Sequence, residues 1–123
     1  MTTATTPETT AKGAGLNSLK PRISHVAYHV QDIDRSLAFY VGVLGMQEQM
    51  RVDISKTLHE VALQFPDSKG GGLILMWDTS REKPLALGDG YSRVILMVSD
   101  LDASMKHLRE NDTRVVTQPT EAG

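Results

Sequence analysis

Cysteine is absent from the 123-residue chain, and aromatic residues are scarce. The absence of cysteine excludes disulfide bonds, thiolate catalysis and cysteine-based zinc sites, and it fits a reducing cytoplasm. No apolar run approaches the roughly 20 residues of a membrane span, and the N-terminal residues lack the apolar run of a signal peptide. A net charge of −2 gives no electrostatic attraction to nucleic acid or to an anionic membrane. The sequence therefore favours a cytoplasmic protein that binds neither nucleic acid nor membranes.

One segment occurs twice in the chain, because residues 25–37 align with residues 93–105 without a gap. The identical pairs are Val26/Val94, Val30/Val98, Asp32/Asp100, Asp34/Asp102 and Ser36/Ser104. A repeat at a fixed offset indicates one supersecondary unit used twice, with a shared core or site where the copies meet. The second copy reaches Gly123 before the last strands of the first copy could recur, so the chain holds about one and a half modules.

The first copy has the pattern of a β-α-β-β-β unit. Residues 23–30 are rich in strand-forming residues, and Asp32 is a suitable N-cap for the helix that follows. That helix has one apolar stripe and is predicted to end at Gly45, which tolerates the left-handed conformation. Strands are then predicted at residues 47–53, 60–65 and 73–77. In the second copy we expect a strand at 91–98, a helix capped by Asp100, and a short strand at 114–117.

These elements divide the chain into a tail and one α+β domain. Residues 1–20 are rich in Thr, Ala, Gly and Pro and are predicted to be a disordered N-terminal tail. Residues 21–123 form the domain, with module one at 22–78, a linker at 79–90 and a partial module two at 91–123. A module that lacks its last strands leaves apolar surface and unpaired edge groups uncovered. Either a longer natural protein supplies the missing strands, or a second copy of the chain does so by association or swapping.

Three short stretches resemble the glyoxalase I-like proteins: residues 23–30, residues 32–40 and residues 43–46, with the sequences ISHVAYHV, DIDRSLAFY and VLGM. Those proteins belong to the vicinal-oxygen-chelate superfamily, together with extradiol dioxygenases, fosfomycin-resistance proteins and bleomycin-binding proteins. The resemblance covers residues 22–118. It implies paired βαβββ modules whose sheets close into a half-barrel around a substrate cavity, with the second module incomplete here and a homodimer as the expected assembly.

The resemblance also implies a divalent metal (zinc, nickel, iron or manganese) held by one ligand on each of four strands. The first-strand position falls on His25, which suits a metal. The next two positions fall on Leu75, which has no lone pair, and on Arg93, which stays protonated and has no acceptor. The fourth position lies past Gly123. Since catalytic sites generally need about three protein ligands, a full metal site is not expected and no cofactor is favoured.

The repeat places Arg93 at the position equivalent to His25, so both are predicted to face one cavity. A buried Arg93 needs an anionic partner, either an internal carboxylate or a carboxylate or phosphate of the substrate. Alternatively, its side chain reaches solvent. The predicted catalytic residues are His25 and Arg93. The predicted substrate-binding residues are His29, Leu75, Trp77, Arg93 and Met97, and an ordinary core position is an equal alternative for Trp77. His29 shares a strand face with His25 at a distance of roughly 13 Å, too far for both to bind one ion. His25 could instead be a histidine that is simply hydrogen-bonded inside a half-buried strand.

Three functions remain open from the sequence. The first is a glyoxalase I-like lyase or isomerase that acts on a small carbonyl or thiol-conjugate substrate without the full metal site. In it, His25 serves as acid or base and Arg93 stabilises developing negative charge. The second is a small-molecule-binding protein of the resistance type that has no turnover. The third is a degenerate half that mainly associates with another copy. An extradiol-dioxygenase-like relative is a further alternative, and every variant has a small molecule as its partner.

Overall fold

The computed structural model describes residue 13 and residues 15–119. The predicted tail lies largely outside the described residues. Its described part contains a short 3-10 helix at Asn17–Leu19. The ordered elements that follow are β1 (His25–His29), α1 (Ile33–Leu37), a π-helix (Ala38–Val43), β2 (Gln47–Asp53), β3 (Leu58–Gln64), β4 (Gly72–Asp78) and α2 (Leu101–Glu110). The β-α-β-β-β pattern predicted for the first module is therefore present.

Four strands form one mixed sheet in the order β1-β4-β3-β2. The edge strand β1 pairs parallel with β4, whereas β2 with β3 and β3 with β4 are antiparallel. The parallel pair needs a crossover connection, and α1 with the π-helix begins it. The fold is therefore α+β, and the fourth strand in the chain pairs with the first.

The sheet has two different faces, which we call the helix face and the open face. The helix face carries the core, in which Val61, Leu63 and Leu75 are almost inaccessible to solvent. Residues of α1 and the π-helix pack onto it, among them Ile33 and Leu37. Strand alternation and register show which residues lie on the opposite side, the open face. They are His25, Ala27, His29, Gly72, Ile74, Met76, Glu60, Ala62, Gln64, Met50 and Val52.

The first helix begins and ends as its sequence predicts, but it changes geometry on the way. The Asp32 side chain accepts a hydrogen bond from the backbone N–H of Arg35 at 3.1 Å, which confirms the N-cap. Gly45 has a φ of 84°, so the predicted left-handed stop is also present. Between them the α-helix gives way to π-helical turns at Ala38–Val43. The predicted apolar stripe does not reveal such a widening, since a π-turn shifts the stripe by only one residue.

The partial second module differs from its prediction. Asp100 caps α2 as expected, since its side chain accepts from the backbone N–H of Ala103 at 2.9 Å. The strand predicted at residues 91–98 is wrong, however, because this segment is exposed and joins no sheet. The short strand predicted at 114–117 is likewise absent. β-Rich composition gives only a propensity, and a strand forms when a partner completes its hydrogen-bond ladder.

No helix within residues 15–119 combines the length and the apolar character needed to cross a membrane. The longest helix, α2, has ten residues.

Candidate functional site

His25 is held on the open face by hydrogen bonds to both of its ring nitrogens. Nδ1 lies 2.7 Å from Ser24 Oγ, and Nε2 lies 2.7 Å from Gln49 Oε1. An amide oxygen only accepts, so Nε2 carries a proton and donates to Gln49 Oε1, whereas Nδ1 pairs with the Ser24 hydroxyl. The arrangement therefore directs an Nε2–H donor across the open face.

The contact between His25 and Gln49 crosses the sheet. His25 is on β1 and Gln49 is on β2, and these are the two edge strands. Edge strands three spacings apart are separated by about 14 Å. The two side chains therefore reach toward each other over β4 and β3 on the open face. A register shift between Glu48 and Met50 releases Gln49 from regular pairing, and such irregularities often redirect a side chain.

A cavity of about 450 Å³ lies at this end of the open face. Its lining combines the His25 and Gln49 pair with further polar and charged side chains. The lining residues are Arg22, Ile23, Ser24, His25, Gln49, Gln64, Ser68, Lys69 and Gly70. The cavity is thus bounded by β1, by the bulged β2, and by the turn between β3 and β4.

The far end of the open face is also polar. In the register, Glu60 on β3 pairs with Met76 on β4, which pairs with His29 on β1. Glu60 therefore lies on the same face of the sheet as His29. Ala27, Ile74 and Ala62 lie between the two polar ends. The open face is thus an apolar floor with an imidazole near each end and a carboxylate at the far end.

The helix face holds two residues that were predicted to contact substrate. Leu75 has no accessible surface and belongs to the core. The ring of Trp77 stacks on His59 at 5.4 Å, and the Arg51 guanidinium lies 6.0 Å from its centroid. His59 is largely buried, and its Nδ1 lies 2.7 Å from Asp53 Oδ1. The structure does not bring Leu75 or Trp77 to the side of the sheet that carries His25.

Arg93 and Met97 lie in the unpaired segment that follows the linker. Arg93 is exposed and donates to the neighbouring Ser92 Oγ at 3.1 Å. It lines a cavity of about 350 Å³ beside Tyr40 and Leu73, on the helix side of the sheet. Met97 is 92% exposed. The expectation that Arg93 and His25 share one cavity is wrong for the described residues. An exposed guanidinium also has no need of a buried anionic partner.

Comparison with known proteins identifies the family. The model of the Glyoxalase/Bleomycin resistance protein/Dioxygenase superfamily matches residues 22–123. The chain belongs to this superfamily. The resemblance inferred from residues 22–118 is confirmed.

Individual superfamily members are more distant. Human mitochondrial methylmalonyl-CoA epimerase is 24% identical over 108 residues, which cover 83% of this chain and 60% of the epimerase. A probable lactoylglutathione lyase from Synechocystis is 28% identical over 99 residues, covering 77% of this chain and 73% of that protein. The trypanothione-dependent glyoxalase I of Leishmania major superposes with a TM-score of 0.69 at 22% identity, covering 81% of this chain and 73% of that one. The Leishmania structure shows a common fold. The chain spans about three fifths of the length of the human epimerase.

Membership of the superfamily raises the question of a metal. Within the described residues, no group of three or more histidine, aspartate or glutamate side chains could hold an ion. His25 already uses both ring nitrogens, and the open-face residues of β4 are Gly72, Ile74 and Met76, which offer no oxygen or nitrogen ligand. The ligand position on β4 was assigned to Leu75, but the neighbouring Ile74 is the residue that faces the same side as His25. The donors present do not fit the divalent metal that the superfamily implies.

Sequence reasoning missed six polar residues of the cavity: Arg22, Ser24, Gln49, Gln64, Ser68 and Lys69. Two of them, Gln49 and Gln64, lie in predicted strands. The signal that could have found Gln49 is the Gln-Glu-Gln sequence at the start of β2, which is unusually polar for a strand. Lys69 belongs to the connection between the strands predicted at 60–65 and 73–77, directly before the Gly70-Gly71-Gly72 sequence.

Proposed function

We propose that this superfamily member is a lyase or isomerase that moves a proton next to the carbonyl group of a small thiol conjugate. The names of the two curated relatives support this substrate class, since methylmalonyl-CoA and lactoylglutathione are both thioesters of a small acid with a thiol carrier. Epimerisation beside a thioester requires that a proton leave the α-carbon and return on the other side. That step needs a donor for the carbonyl oxygen and an acceptor for the proton.

The observation that carries the proposal is the Nε2–H group of His25. Nε2 lies 2.7 Å from Gln49 Oε1 at the cavity, and because that oxygen only accepts, the proton of this bond is on Nε2. A substrate carbonyl oxygen that replaces the amide oxygen would receive this N–H. The donor would then stabilise the negative charge that develops on the oxygen as the α-proton leaves. The Gln49 amide N–H2 group is a second candidate donor.

The proton acceptor is not among the residues beside His25. Glu60 shares the open face, but it lies four residues along the strand direction from the His25 end, roughly 13 Å away. A general base has to come within hydrogen-bond reach of the proton that it removes. The proposal therefore gives this chain the carbonyl-binding wall of the site, and the α-proton passes to a water molecule in the solvent-open cavity, from which a proton returns to the α-carbon.

The test is α-proton exchange in deuterium oxide, followed by NMR with methylmalonyl-CoA and lactoylglutathione as substrates. We expect exchange by the wild type and a loss of about 100-fold in His25→Ala, the size typical of one donor to a developing oxyanion. His59→Gln is the matched control, because this histidine lies on the helix face. Exchange that is unchanged in His25→Ala would refute the assignment.

A second candidate function is binding without turnover. It is favoured by the engagement of both His25 nitrogens and by the apolar floor between the polar ends. Ligand binding without exchange of the α-proton would select this alternative.

We also propose that the chain forms a homodimer. Within the described residues β1 has one strand neighbour, and the apolar segment 94–98 is exposed, with Met97 the most exposed of its residues. Exposed apolar surface and a free strand edge both favour association. Size-exclusion chromatography with light scattering should give twice the monomer mass, and a stable monomer would contradict this.

A further inference from the structure

The cavity beside His25 carries more positive charge than the proposed proton transfer requires. Two permanent cations line it, Arg22 and Lys69. No aspartate or glutamate lines it, and neither cation forms an ion pair among the described residues. The charge of the lining is therefore positive and uncompensated. Such a concentration of one sign in a concave site attracts an anion.

A buried acceptor in the same cavity lacks a donor. Gln64 Nε2 donates to the carbonyl oxygen of Gly70 at 2.6 Å. This bond fixes the orientation of the amide, because a carbonyl oxygen cannot pair with the amide oxygen. Gln64 Oε1 is left buried with no hydrogen-bond partner. An unsatisfied buried acceptor costs about 1–3 kcal/mol, which a ligand N–H can recover.

The hydrogen bonds that position the cavity residues involve the short turn between β3 and β4 and the first residue of β4. The Gly70 N–H donates to Ser68 Oγ at 3.1 Å, and Gly70 O holds the Gln64 amide. The Gly72 N–H donates to the carbonyl oxygen of Ser24 at 2.8 Å, next to the chain segment that carries Arg22. The turn with Lys69 and the segment with Arg22 are thus tied to each other by a backbone hydrogen bond at the cavity.

We propose that this cavity is a subsite for an anionic group with a nearby amide, in which Arg22 and Lys69 bind a carboxylate or phosphate and Gln64 Oε1 accepts from the amide N–H. The proposal rests on the proposed function for its substrate class. It deepens that function by assigning the residues that hold the thiol carrier rather than the acyl group. Two carriers offer this chemistry. Glutathione has carboxylates beside peptide amides, and coenzyme A has phosphates beyond the amides of its pantetheine arm.

The experiment is isothermal titration of the full chain with S-methylglutathione and, separately, with coenzyme A. Wild type is compared with Arg22→Gln, Lys69→Gln and the double variant. Lys56→Gln is the matched control, because Lys56 is exposed in the turn between β2 and β3, away from the cavity. We expect each cavity variant to weaken one of the two ligands by about tenfold, as the loss of a charge-assisted hydrogen bond does. The control should leave the affinity unchanged, and the carrier that shows the losses identifies the source of the anion.

A ligand without carboxylates separates the subsite from general effects on the fold. S-methylglutathione dimethyl ester keeps the amides and the ammonium group but loses both carboxylates. If glutathione is the carrier, the ester should bind wild type no more tightly than the double variant. If coenzyme A is the carrier, inorganic pyrophosphate serves as an anionic probe that has no amide, and it should bind wild type more tightly than the double variant.

Two results would overturn the subsite. One is that neither carrier binds the wild type, and the other is equal affinity of wild type and double variant for the carrier that binds. Failure of the proposed function looks different. In that case the carrier binds in a manner that depends on Arg22 and Lys69, while the α-proton of the thioester does not exchange.

Discussion

The imidazole of His25 lies directly over Gly72 on the neighbouring strand. A Cβ atom at position 72 would come 2.9 Å from His25 Cδ2, 3.0 Å from His25 Nε2 and 2.3 Å from the carbonyl oxygen of Leu63. Only glycine leaves room for the ring to cross β4 toward Gln49. The reach of His25 over the sheet thus depends on the absence of a side chain.

The first prediction is that Gly72→Ala displaces His25 and destabilises the sheet. The methyl group would meet a backbone oxygen that cannot move aside cheaply, so we expect a loss of about 1–3 kcal/mol in the free energy of unfolding. The His25 to Gln49 hydrogen bond should be lost as well. Urea unfolding and the imidazole nitrogen shifts in NMR measure the two effects. Gly42→Ala is the control, because nothing lies within 4 Å of a Cβ there; an equal loss in both variants would contradict the steric explanation.

The second prediction separates the two faces of β4. Leu75→Ala should cost about 2–5 kcal/mol of stability, because Leu75 is fully buried in the core. Ile74→Ala should cost less, because Ile74 is only partly buried on the open face, and it should weaken thioester binding instead. Chemical denaturation and titration calorimetry give both quantities. A larger loss of stability in Ile74→Ala than in Leu75→Ala would show that the register of β4 is wrong.

The third prediction concerns Tyr28 and alkaline pH. Burial is the main cause that raises the pKa of the Tyr28 phenol, and the hydrogen bond to Tyr40 raises it further. An unfolded tyrosine ionises at about pH 10, so the unfolded state loses this proton first as the pH rises. The stabilisation is therefore complete below pH 10 and falls as the pH rises above it. Unfolding free energies measured from pH 8 to 11 should fall less steeply in Tyr28→Phe than in wild type.

The control for this effect is Tyr91→Phe. The Tyr91 ring lies 5.5 Å from that of Tyr28, and phenylalanine preserves the ring contact. Its pH dependence should match that of wild type. If Tyr91→Phe flattens the curve as much as Tyr28→Phe does, the titration does not belong to Tyr28.

The fourth prediction is that the purified chain holds less than one equivalent of zinc, nickel, iron or manganese. Its basis is the donor set of the described residues, in which His25 is committed to Ser24 and Gln49. Mass spectrometry of the elements after dialysis measures the content. One bound ion per chain, lost together with His25 in His25→Ala, would refute this prediction.

Local signals in the sequence predicted most of the first module. Both aspartate caps, the glycine stop after the first helix and the four strands follow from propensity and short-range hydrogen bonding. The second opening strand could not be predicted in the same way. Residues 91–98 have strand composition, but within the described residues they find no ladder partner, and pairing is a non-local property.

The site was predictable only in part, because faces of a strand alternate at every residue. His25 and His29 were assigned to one face correctly, since they lie on the same strand at even spacing. Leu75 was predicted to face the cavity. The register instead places Leu75 in the core and its neighbour Ile74 on the open face, because a shift of one residue changes the face of a strand. The contact with Gln49 depends on the order of the four strands and on the bulge in β2, which no local pattern encodes.

The turn between β3 and β4 looks like an ordinary surface connection, yet several parts of the cavity depend on it. It presents Lys69, its Gly70 carbonyl orients Gln64, and it delivers Gly72 beneath His25. Surface loops usually tolerate changes of length during evolution. Here the addition or removal of one residue would disturb a cation, an amide and an imidazole at the same time, so this loop should resist length variation as strongly as a core strand does.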